Sequence, residues 1–250
     1  MRRILNYFRA FGIDPRKAVF GLIGIPRYFS DLFLYLRKAE LKGFSLSPAL
    51  TDFNDSSGAA DGHYFWQDLI CARWIYGENP ESHIDIGSRV DGFIAHLLTF
   101  RKVQILDIRE LRTNVDGLTS IVEDLQGEGV QLPVSDSISS LHSIEHFGLG
   151  RYRDTVDPSG HVRGLLNISK MVRPGGHLYV SFPIGEEKVE FNAQRIIDPL
   201  WAVNHLTNFE LESFVLIPWK GEPVFNVSPR EVNKKIRGQA GLYKFKKKHD

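Results

Sequence analysis

The 250-residue chain lacks several features that mark particular classes of protein. It has a single cysteine, Cys71, so no disulfide can form within one chain. The formal net charge is +1, which argues against nucleic-acid binding through a general basic field. Internal repeats and low-complexity linkers are absent as well. These absences favour a globular protein of a reducing compartment, and the predicted location is the cytoplasm.

Several catalytic motifs are also missing. The stretch GLGRY does not join a strand to a helix and no G-K-[ST] accompanies it, which argues against ATP hydrolysis. His142 and His146 have a four-residue spacing that suits two metal ligands on a helix. Neither an H-E-x-x-H motif nor a cysteine cluster accompanies them, so the sequence predicts no metal site.

Residues 1–79 are predicted to form a helical N-terminal extension. Residues 31–42 suit a short helix, and HYFWQDLICARWIYG has helical apolar spacing. The first 29 residues contain no sustained apolar run and no small-residue cleavage site, so neither a secretory signal nor a membrane span is predicted. Two interpretations stay open. The extension packs on its own domain or on a second copy in a homo-oligomer, or it contacts a membrane surface through basic residues beside apolar ones, namely Arg2, Arg3, Arg9, Arg16 and Lys17.

Residues 80–225 alternate between short apolar strands and helices. The predicted strands are HIDIG, VQILDI, LTSIVEDL, SISSLHS, HLYVSFPIG and ELESFVLIPW. The predicted helices are DGFIAHLLTFR, HVRGLLNISKMV and PLWAVNHL. This alternation predicts an α/β domain with a doubly wound, mostly parallel sheet covered on both faces. Residues 226–250 are basic and are predicted to form a peripheral, solvated tail.

The residues that end the predicted strands carry the first functional signal, because ligands bind at the carboxyl ends of open parallel sheets. Gly87 follows the first strand and allows the backbone to approach a ligand closely. Asp107 ends the second strand, where a carboxylate can accept both hydroxyls of a ribose. Asp124 follows the third strand and can accept a hydrogen bond from an adenine amino group. A tight turn or a helix cap would also explain each position alone, but their order and spacing support one another.

The ordered series HIDIGSRVDG, ILDIREL, IVEDLQ, LPVSDSISSLHSIEH and LLNISKMVRPGGHLYVSFP resembles the motifs of class I S-adenosylmethionine-dependent methyltransferases. The resemblance covers roughly residues 80–220. Within that superfamily, GSRVDGF, LHSIEHFGLGRY and FNAQRI resemble a bacterial branch, DUF268, that is associated with enzymes of surface-polysaccharide biosynthesis. The resemblance implies a Rossmann-like fold, S-adenosylmethionine as cofactor, and methyl transfer to an oxygen or nitrogen of a small, sugar-type acceptor.

The resemblance also assigns roles to individual residues. The first motif lies along the methionine part of the cofactor, the second binds the ribose and the third contacts the adenine. The expected cofactor contacts are Asp85, Gly87, Ser88, Arg89, Asp107, Ile108, Asp124 and Leu125. His142 falls at the end of the fourth strand, facing the transferable methyl group. Tyr64 and Gln67 fall in a segment that covers the cofactor in many members of the superfamily.

The stretch HSIEHFGLGRYRD is the expected reaction centre. His142 and His146 have the ordinary pKa range of a general base, and Glu145 can orient an imidazole. Alternatively, Glu145 and His146 cap the next helix or form a polar network with Arg151 and Arg153. The expected acceptor contacts are Arg151, Asn192 and Arg195.

One motif departs from the superfamily pattern. Where the first loop usually reads G-x-G-x-G, this chain has GSRVDG, and Arg89 either binds the cofactor's carboxylate or blocks the pocket. The second hypothesis is therefore a non-catalytic protein that keeps the methyltransferase fold as a binding or scaffolding module. A nicotinamide-dependent sugar dehydrogenase is a third hypothesis, opposed by the missing G-x-G-x-x-G and by the RPGG turn before the fifth strand.

Overall fold

The computed structural model describes residues 14–38, 44–54, 58, 60–112, 114–129 and 132–249. The chain divides into two compact units, residues 1–59 and 60–250. The basic residues Arg2, Arg3 and Arg9 of the expected membrane-contacting segment lie outside the described residues.

The first unit contains one long helix, α1, from Pro15 to Leu36. The sequence predicted only a short helix at 31–42, and residues 39–42 of it lie outside the described residues. Pro26 stands inside α1, although proline removes a backbone donor, and this is one reason why the pattern did not predict a helix there. From Lys17 to Leu36 the helix is long and apolar enough to cross a membrane, by length and composition alone, which the sequence analysis did not expect.

The second unit begins with helix α2, from Gly62 to Glu78. The Asp61 side chain caps its first turn by accepting a hydrogen bond from the Gly62 backbone nitrogen at 2.8 Å. Although α2 falls within the extension expected at 1–79, it belongs to the same unit as the sheet. Cys71 lies on α2 and is fully buried, which raises the pKa of its thiol, as expected for a structural cysteine.

The central sheet has seven strands in the order β3-β2-β1-β4-β5-β9-β8. Five parallel strands come first, and β9 and β8 complete the sheet in antiparallel orientation. The nine strands of the chain's described part are β1 (Ile84–Ile86), β2 (Val103–Asp107), β3 (Leu118–Val122), β4 (Ser135–Leu141), β5 (Val172–Ile184), β6 (Lys188–Glu190), β7 (Gln194–Ile196), β8 (Phe209–Pro218) and β9 (Gln239–Lys247). β6 and β7 form a separate hairpin. The predicted doubly wound, mostly parallel sheet is confirmed.

Strand β9 corrects the prediction of a solvated C-terminal tail. It lies between β5 and β8, and Leu242 and Tyr243 are fully buried. The basic residues that suggested a tail keep their charges at the surface or in contact with partners. The Lys244 ammonium donates to Glu212 at 2.9 Å, and that of Lys247 donates to two backbone carbonyls. A strand can therefore be rich in lysine and still be central to the fold.

Helices cover both faces of the sheet. Helices α4 (Gly160–Met171) and α5 (Trp201–His205) pack on one face, whereas α2 and the short helix α3 (Ala95–Leu98) pack on the other. A single π-helical turn precedes α3. The strand order reverses between β1 and β4, so the carboxyl ends of β1, β2, β3 and β4 surround one crevice. The candidate site lies there.

Candidate active site

The carboxylate of Asp85 holds the loop that follows β1, the first loop, in place. Its oxygens accept hydrogen bonds from the Ser88 backbone nitrogen at 2.9 Å, the Ser88 hydroxyl at 2.9 Å and the Ser139 hydroxyl at 2.5 Å. Burial raises the pKa of Asp85 to about 6, and these hydrogen bonds oppose the shift. Asp85 is fully buried and does not line the crevice, so it orders the loop and leaves ligand contact to its neighbours.

Gly87 brings the backbone to the floor of the crevice. Its φ is +71°, a conformation that side chains rarely adopt. A Cβ atom added at Gly87 would lie 2.4 Å from the Ser143 hydroxyl oxygen. The close approach of β1 to the segment after β4 therefore requires glycine at this position, even though the other glycines of the superfamily pattern are missing.

Arg89 does not block the crevice. Its side chain is 76% exposed and forms a salt bridge with Asp91, in which the nitrogen and oxygen lie 2.6 Å apart. The pKa of Arg89 is raised and that of Asp91 is lowered by this hydrogen-bonded pair. Arg89 lines a cavity of about 450 Å³ that adjoins the crevice on the side of α2, so a ligand in that cavity could still meet its guanidinium.

The crevice itself brings together most of the predicted cofactor contacts. Its apolar walls are formed by Ile86, Leu106, Ile108, Leu125 and Phe147. The predicted residues that line it are Gly87, Asp107, Ile108, Asp124 and Leu125. One oxygen of Asp124 accepts a hydrogen bond from the Gln126 backbone nitrogen at 2.9 Å. A slot with apolar walls and carboxylates at two strand ends suits a flat aromatic ring joined to a polyol.

Arg109 engages the carboxylate at the end of β2, which sequence reasoning did not foresee. Oδ1 of Asp107 accepts hydrogen bonds from the Arg109 backbone nitrogen at 2.8 Å and from Arg109 Nε at 2.9 Å. Oδ2 accepts a hydrogen bond from Arg109 Nη2 at 2.7 Å. The guanidinium also lies 4.4 Å from the ring centre of Tyr152. Each carboxylate oxygen has two lone pairs, so Oδ2 keeps one for a further donor. Asp107 is therefore oriented by Arg109 and still able to accept a ligand hydroxyl.

His142 and Glu145 form a buried pair at the mouth of the crevice. Nδ1 of His142 lies 2.9 Å from Oε1 of Glu145, and their side chains are 5% and 0% exposed. His142 directly follows β4 and lines the crevice, and its φ of +49° is a strained conformation for a residue other than glycine. Nε2 of His142 is buried without a hydrogen-bond partner in the described part of the chain. A buried acceptor nitrogen without a partner is what a general base would offer to an incoming substrate.

His146 is the second imidazole beside Glu145, on the 3-10 turn Ile144–His146. Its Nε2 lies 3.8 Å from Oε1 of Glu145, and its Nδ1 lies 3.4 Å from Arg151 Nη1. Burial lowers the pKa of His146, Glu145 raises it and Arg151 lowers it further. Arg151 also donates to the Ala193 carbonyl at 2.6 Å. Arg151 therefore forms part of the expected polar network with His146, whereas no side-chain contact of Arg153 with this group is found among the described residues.

Helix α2 adds two rings to the reaction centre. His63 stacks on His142 with ring centres 5.4 Å apart, and Tyr64 lies 5.2 Å from the same imidazole. Burial lowers the pKa of His63 to about 4, and the neighbouring His142 lowers it as well. His63 is therefore neutral at neutral pH. The sequence had singled out Tyr64 but not His63, because only the tertiary fold brings the start of α2 to the end of β4.

Asp68 is a further acid that the sequence did not single out. It lies one helical turn after Tyr64, is 8% exposed and lines the same cavity as Arg89. Burial raises its pKa to about 7, against the hydrogen bond from Gln67. A Cβ atom at Gly92 would lie 3.0 Å from Oδ2 of Asp68, so the loop after β1 runs close to this carboxyl group.

Two of the expected acceptor contacts lie away from the reaction centre. Arg195 is buried, and its guanidinium donates to the carbonyls of Glu145, Phe147 and Pro158, at 3.3 Å for Glu145 and 3.4 Å for Pro158. It braces the turn that carries Glu145 and has no donor directed at the crevice. Asn192 is exposed in the β6–β7 connection and does not line the cavities at His142.

Glu145 lies beside both imidazoles, with its Oε1 2.9 Å from Nδ1 of His142 and 3.8 Å from Nε2 of His146, and the absence of a metal there stays a prediction. Elsewhere in the described residues, Glu78, His177 and Glu212 are close enough to hold a metal ion together. The Lys244 ammonium, however, pairs with both carboxylates of that group. A cation is thus already present where a metal ion would bind.

The chain has a Rossmann-like fold of the kind found in class I methyltransferases. Among solved structures, the chain is similar to the N-methyltransferase NodS of Bradyrhizobium japonicum WM9, solved with S-adenosyl-L-homocysteine. The TM-score is 0.50 and the identity 13%, over 76% of this chain and 90% of NodS. It is also similar to 1,6-didemethyltoxoflavin-N1-methyltransferase of Burkholderia thailandensis, solved with 1,6-didemethyltoxoflavin and S-adenosylhomocysteine. That TM-score is 0.50 and the identity 14%, over 73% of this chain and 79% of the other.

Residues 95–215 match the family model described as "Caenorhabditis protein of unknown function, DUF268". The resemblance to DUF268 that the sequence motifs indicated is thereby confirmed, and the resemblance to class I methyltransferases is confirmed for the fold. The assignment to a bacterial branch stays a prediction. A comparison with curated proteins found no match.

Proposed function

We propose that the protein is a methyltransferase that uses S-adenosylmethionine and acts on an oxygen or nitrogen atom of a small, sugar-type acceptor. The observation that carries the proposal is the position of His142. His142 lines the crevice at the ends of β1, β2 and β3 and also a second cavity of about 450 Å³, which includes Trp219 and is distinct from the cavity at Arg89. One imidazole thus borders both the crevice proposed for the cofactor and the cavity proposed for the acceptor.

The residues of the crevice fit the cofactor. Gly87 lines the crevice, and its lack of a Cβ lets the first loop pack directly against Ser143, which lines the crevice as well. Asp107 would accept a ribose hydroxyl through Oδ2, and Asp124 and Leu125 would border the adenine ring. Ser88 holds the loop through Asp85, and Arg89 borders the cavity where the methionine carboxylate would lie. The cofactor, when bound, supplies an electrophilic methyl group, which forms a bond to the acceptor atom as its bond to sulfur breaks.

The protein's own contribution to the reaction is alignment and proton removal. Nε2 of His142 would take the proton of the acceptor hydroxyl or amine while the new bond forms. Glu145, fully buried and 2.9 Å from Nδ1, would hold the imidazole in the tautomer with its proton on Nδ1 and stabilise the imidazolium. His63 and Tyr64 lie against the His142 ring from α2, with ring centres 5.4 Å and 5.2 Å away, and would hold it in place.

The alternative of a non-catalytic scaffold rested on the replacement of glycines in GSRVDG. That replacement leaves the crevice open, because the Arg89 side chain extends into solvent and pairs with Asp91. Glu145 is also a fully buried carboxylate whose two oxygens have no hydrogen-bond partner in the described part of the chain, an arrangement that is costly to keep in a scaffold without a functional use. Both observations favour an enzyme.

The test of the base is methyl transfer from radiolabelled S-adenosylmethionine to a panel of sugars and sugar phosphates. His142→Gln is expected to lower turnover by about 10²–10⁴-fold, the usual contribution of a general base, with little change in cofactor affinity. His96→Gln, the same change at an exposed histidine outside the cavities, serves as the control. Equal turnover of the His142→Gln variant and the wild type would remove the general-base role.

We also infer that helix α1 contacts a membrane surface while the catalytic unit works in the cytoplasm. Several apolar side chains of α1 are more than half exposed, among them Leu22 at 67%, Ile23 at 61% and Phe33 at 60%. Their exposure is costly in water and favourable in a bilayer. Such an attachment would suit an enzyme of surface-polysaccharide biosynthesis, whose sugar substrates are assembled at the membrane.

A further inference from the structure

The second cavity at His142 contains more cationic groups than its own anions can neutralise. Four basic side chains line it, Lys188, Lys234, Lys235 and Arg237. Lys188 pairs with Glu190, and Lys234 pairs with Asp198. In the described part of the chain no salt bridge within 4 Å holds Lys235 or Arg237, although Arg237 is near enough to Glu190 to contribute to the lowering of its pKa. The other anion of the wall is Glu186, so the four cations outnumber Glu186, Glu190 and Asp198 together.

Lys235 and Arg237 stand on a segment that is fixed to the reaction centre. The side-chain amide of Gln239 is buried and donates to the Asn233 carbonyl at 3.0 Å and the Ile236 carbonyl at 2.8 Å. At the other end of the segment, Nε2 of His63 lies 3.2 Å from the Gly238 carbonyl oxygen. The wall that carries Lys235 and Arg237 is therefore linked directly to the imidazole that stacks on His142.

An exposed tryptophan completes this wall. The Trp219 side chain is 63% exposed although it lines the cavity. Two neighbours fix the position of Trp219. A Cβ added at Gly238 would lie 3.1 Å from the Cβ of Trp219, and the rings of Trp219 and His63 meet edge-to-face with their centres 5.6 Å apart. A fixed, exposed aromatic ring beside a polar cavity is a common platform for the apolar face of a sugar ring.

We propose that this cavity binds a phosphorylated sugar as the acceptor, with the sugar ring on Trp219 and the phosphate between Lys235 and Arg237. A phosphate near neutral pH carries up to two negative charges and several acceptor oxygens, which matches one ammonium and one guanidinium. The sugar hydroxyls then lie on the side of His142, where the proposed base removes a proton. The role of this sugar as methyl acceptor rests on the proposed function. The binding site itself rests on the cavity alone.

The experiment is a calorimetric titration of the full-length protein with glucose 1-phosphate and, separately, with glucose. Saturable binding of glucose 1-phosphate is expected. The double variant Lys235→Ala/Arg237→Ala should weaken it at least tenfold, about the loss expected for two charge-assisted contacts. The same variant should leave the weaker binding of glucose unchanged, because glucose has no charge.

The controls separate charge from fold. Lys220→Ala/Arg230→Ala removes the same two residue types from exposed positions outside the cavity and should change the affinity less than twofold. Glu186→Gln should strengthen phosphate binding, since it removes the opposing charge of the wall.

Trp219→Ala should weaken the binding of glucose and of glucose 1-phosphate to the same extent. Equal affinities for glucose 1-phosphate in the Lys235/Arg237 variant and the wild type, or the absence of saturable binding, would overturn the inference.

A parallel titration with S-adenosylhomocysteine distinguishes this inference from the proposed function. If S-adenosylhomocysteine binds and glucose 1-phosphate does not, the phosphorylated-sugar inference is wrong and the methyltransferase proposal survives. If glucose 1-phosphate binds with the expected loss in the Lys235/Arg237 variant but S-adenosylhomocysteine does not, the anionic-sugar site is upheld and methyl transfer is the part that is wrong.

Discussion

At the scale of single residues, Gly87 allows a direct test of the crevice geometry. Gly87→Ala combines a strained backbone at φ +71° with a Cβ placed 2.4 Å from the Ser143 hydroxyl. Gly129→Ala imposes the same backbone strain at φ +69°, but nothing lies within 4 Å of its Cβ. The strain alone costs about 1–2 kcal/mol. We expect Gly129→Ala to lose only that stability in urea unfolding, whereas Gly87→Ala loses more and also loses S-adenosylhomocysteine affinity at least tenfold. Equal behaviour of the two variants would contradict the close approach.

At the scale of elements, β9 carries a prediction about stability. Leu242 is fully buried in this strand, so Leu242→Ala should lower the free energy of unfolding by about 2–5 kcal/mol. Lys248→Ala, just after the strand, should change it by about 0.5 kcal/mol or less. Urea unfolding followed by circular dichroism measures both. If the two variants were equally stable, the segment would behave as the solvated tail that its composition indicated.

Helix α1 carries the second prediction at this scale. Ile23→Asp/Phe33→Asp places two charges among the exposed apolar side chains of the helix. Co-sedimentation with vesicles of phosphatidylcholine and phosphatidylserine should fall at least tenfold, because each apolar side chain in a bilayer contributes about 1.5–3 kcal/mol. Tyr76→Asp, at a 68% exposed aromatic residue of α2, is the control. Unchanged sedimentation of the double variant would remove the membrane-contact proposal.

The strands and helices differ in how well the sequence alone predicts them. Parallel strands buried on both faces are mostly apolar, so β1 and β2 were predictable from local composition. β4 reads SDSISSL and is buried although most of its residues are polar, so composition alone does not explain it. The central position of β9 was not predictable, because its lysines find partners such as Glu212 only in the tertiary fold. The same limit applies to the site. Strand ends give Gly87 and Asp107 from local order, whereas His63 and Asp68 reach the site only through the packing of α2.

At the scale of the whole molecule, a buried polar network links the far end of β1 to the first loop and makes stability depend on pH. Ser137 and Ser139 bind the His83 imidazole at 2.7 Å and 3.0 Å, and Ser139 in turn donates to Asp85. Burial lowers the pKa of His83 to about 3, below its ordinary 6.5. The unfolded chain therefore takes up this proton first, and the stability that His83 contributes above pH 6.5 is lost as the pH falls toward 3.

His83→Gln removes that proton uptake. Between pH 7 and pH 5 the free energy of unfolding of the wild type should fall relative to the variant by about 2 kcal/mol. Urea unfolding at several pH values measures the difference. His96→Gln is the control and should run parallel to the wild type, because its imidazole is exposed in both states. A wild type and a His83→Gln variant with parallel pH curves would mean that His83 is accessible to protons in the folded protein.

The central claim is that the crevice at the ends of β1, β2 and β3 binds the cofactor, and one titration addresses it most directly. Calorimetry of the full-length protein with S-adenosylhomocysteine should give saturable binding that weakens at least tenfold in Asp107→Ala, because a hydrogen bond to a charged group contributes about 1.5–3 kcal/mol. Asp116→Ala, at an exposed aspartate outside the crevice, should bind like the wild type. An Asp107→Ala variant that binds as tightly as the wild type, or a wild type that does not bind, would contradict the claim.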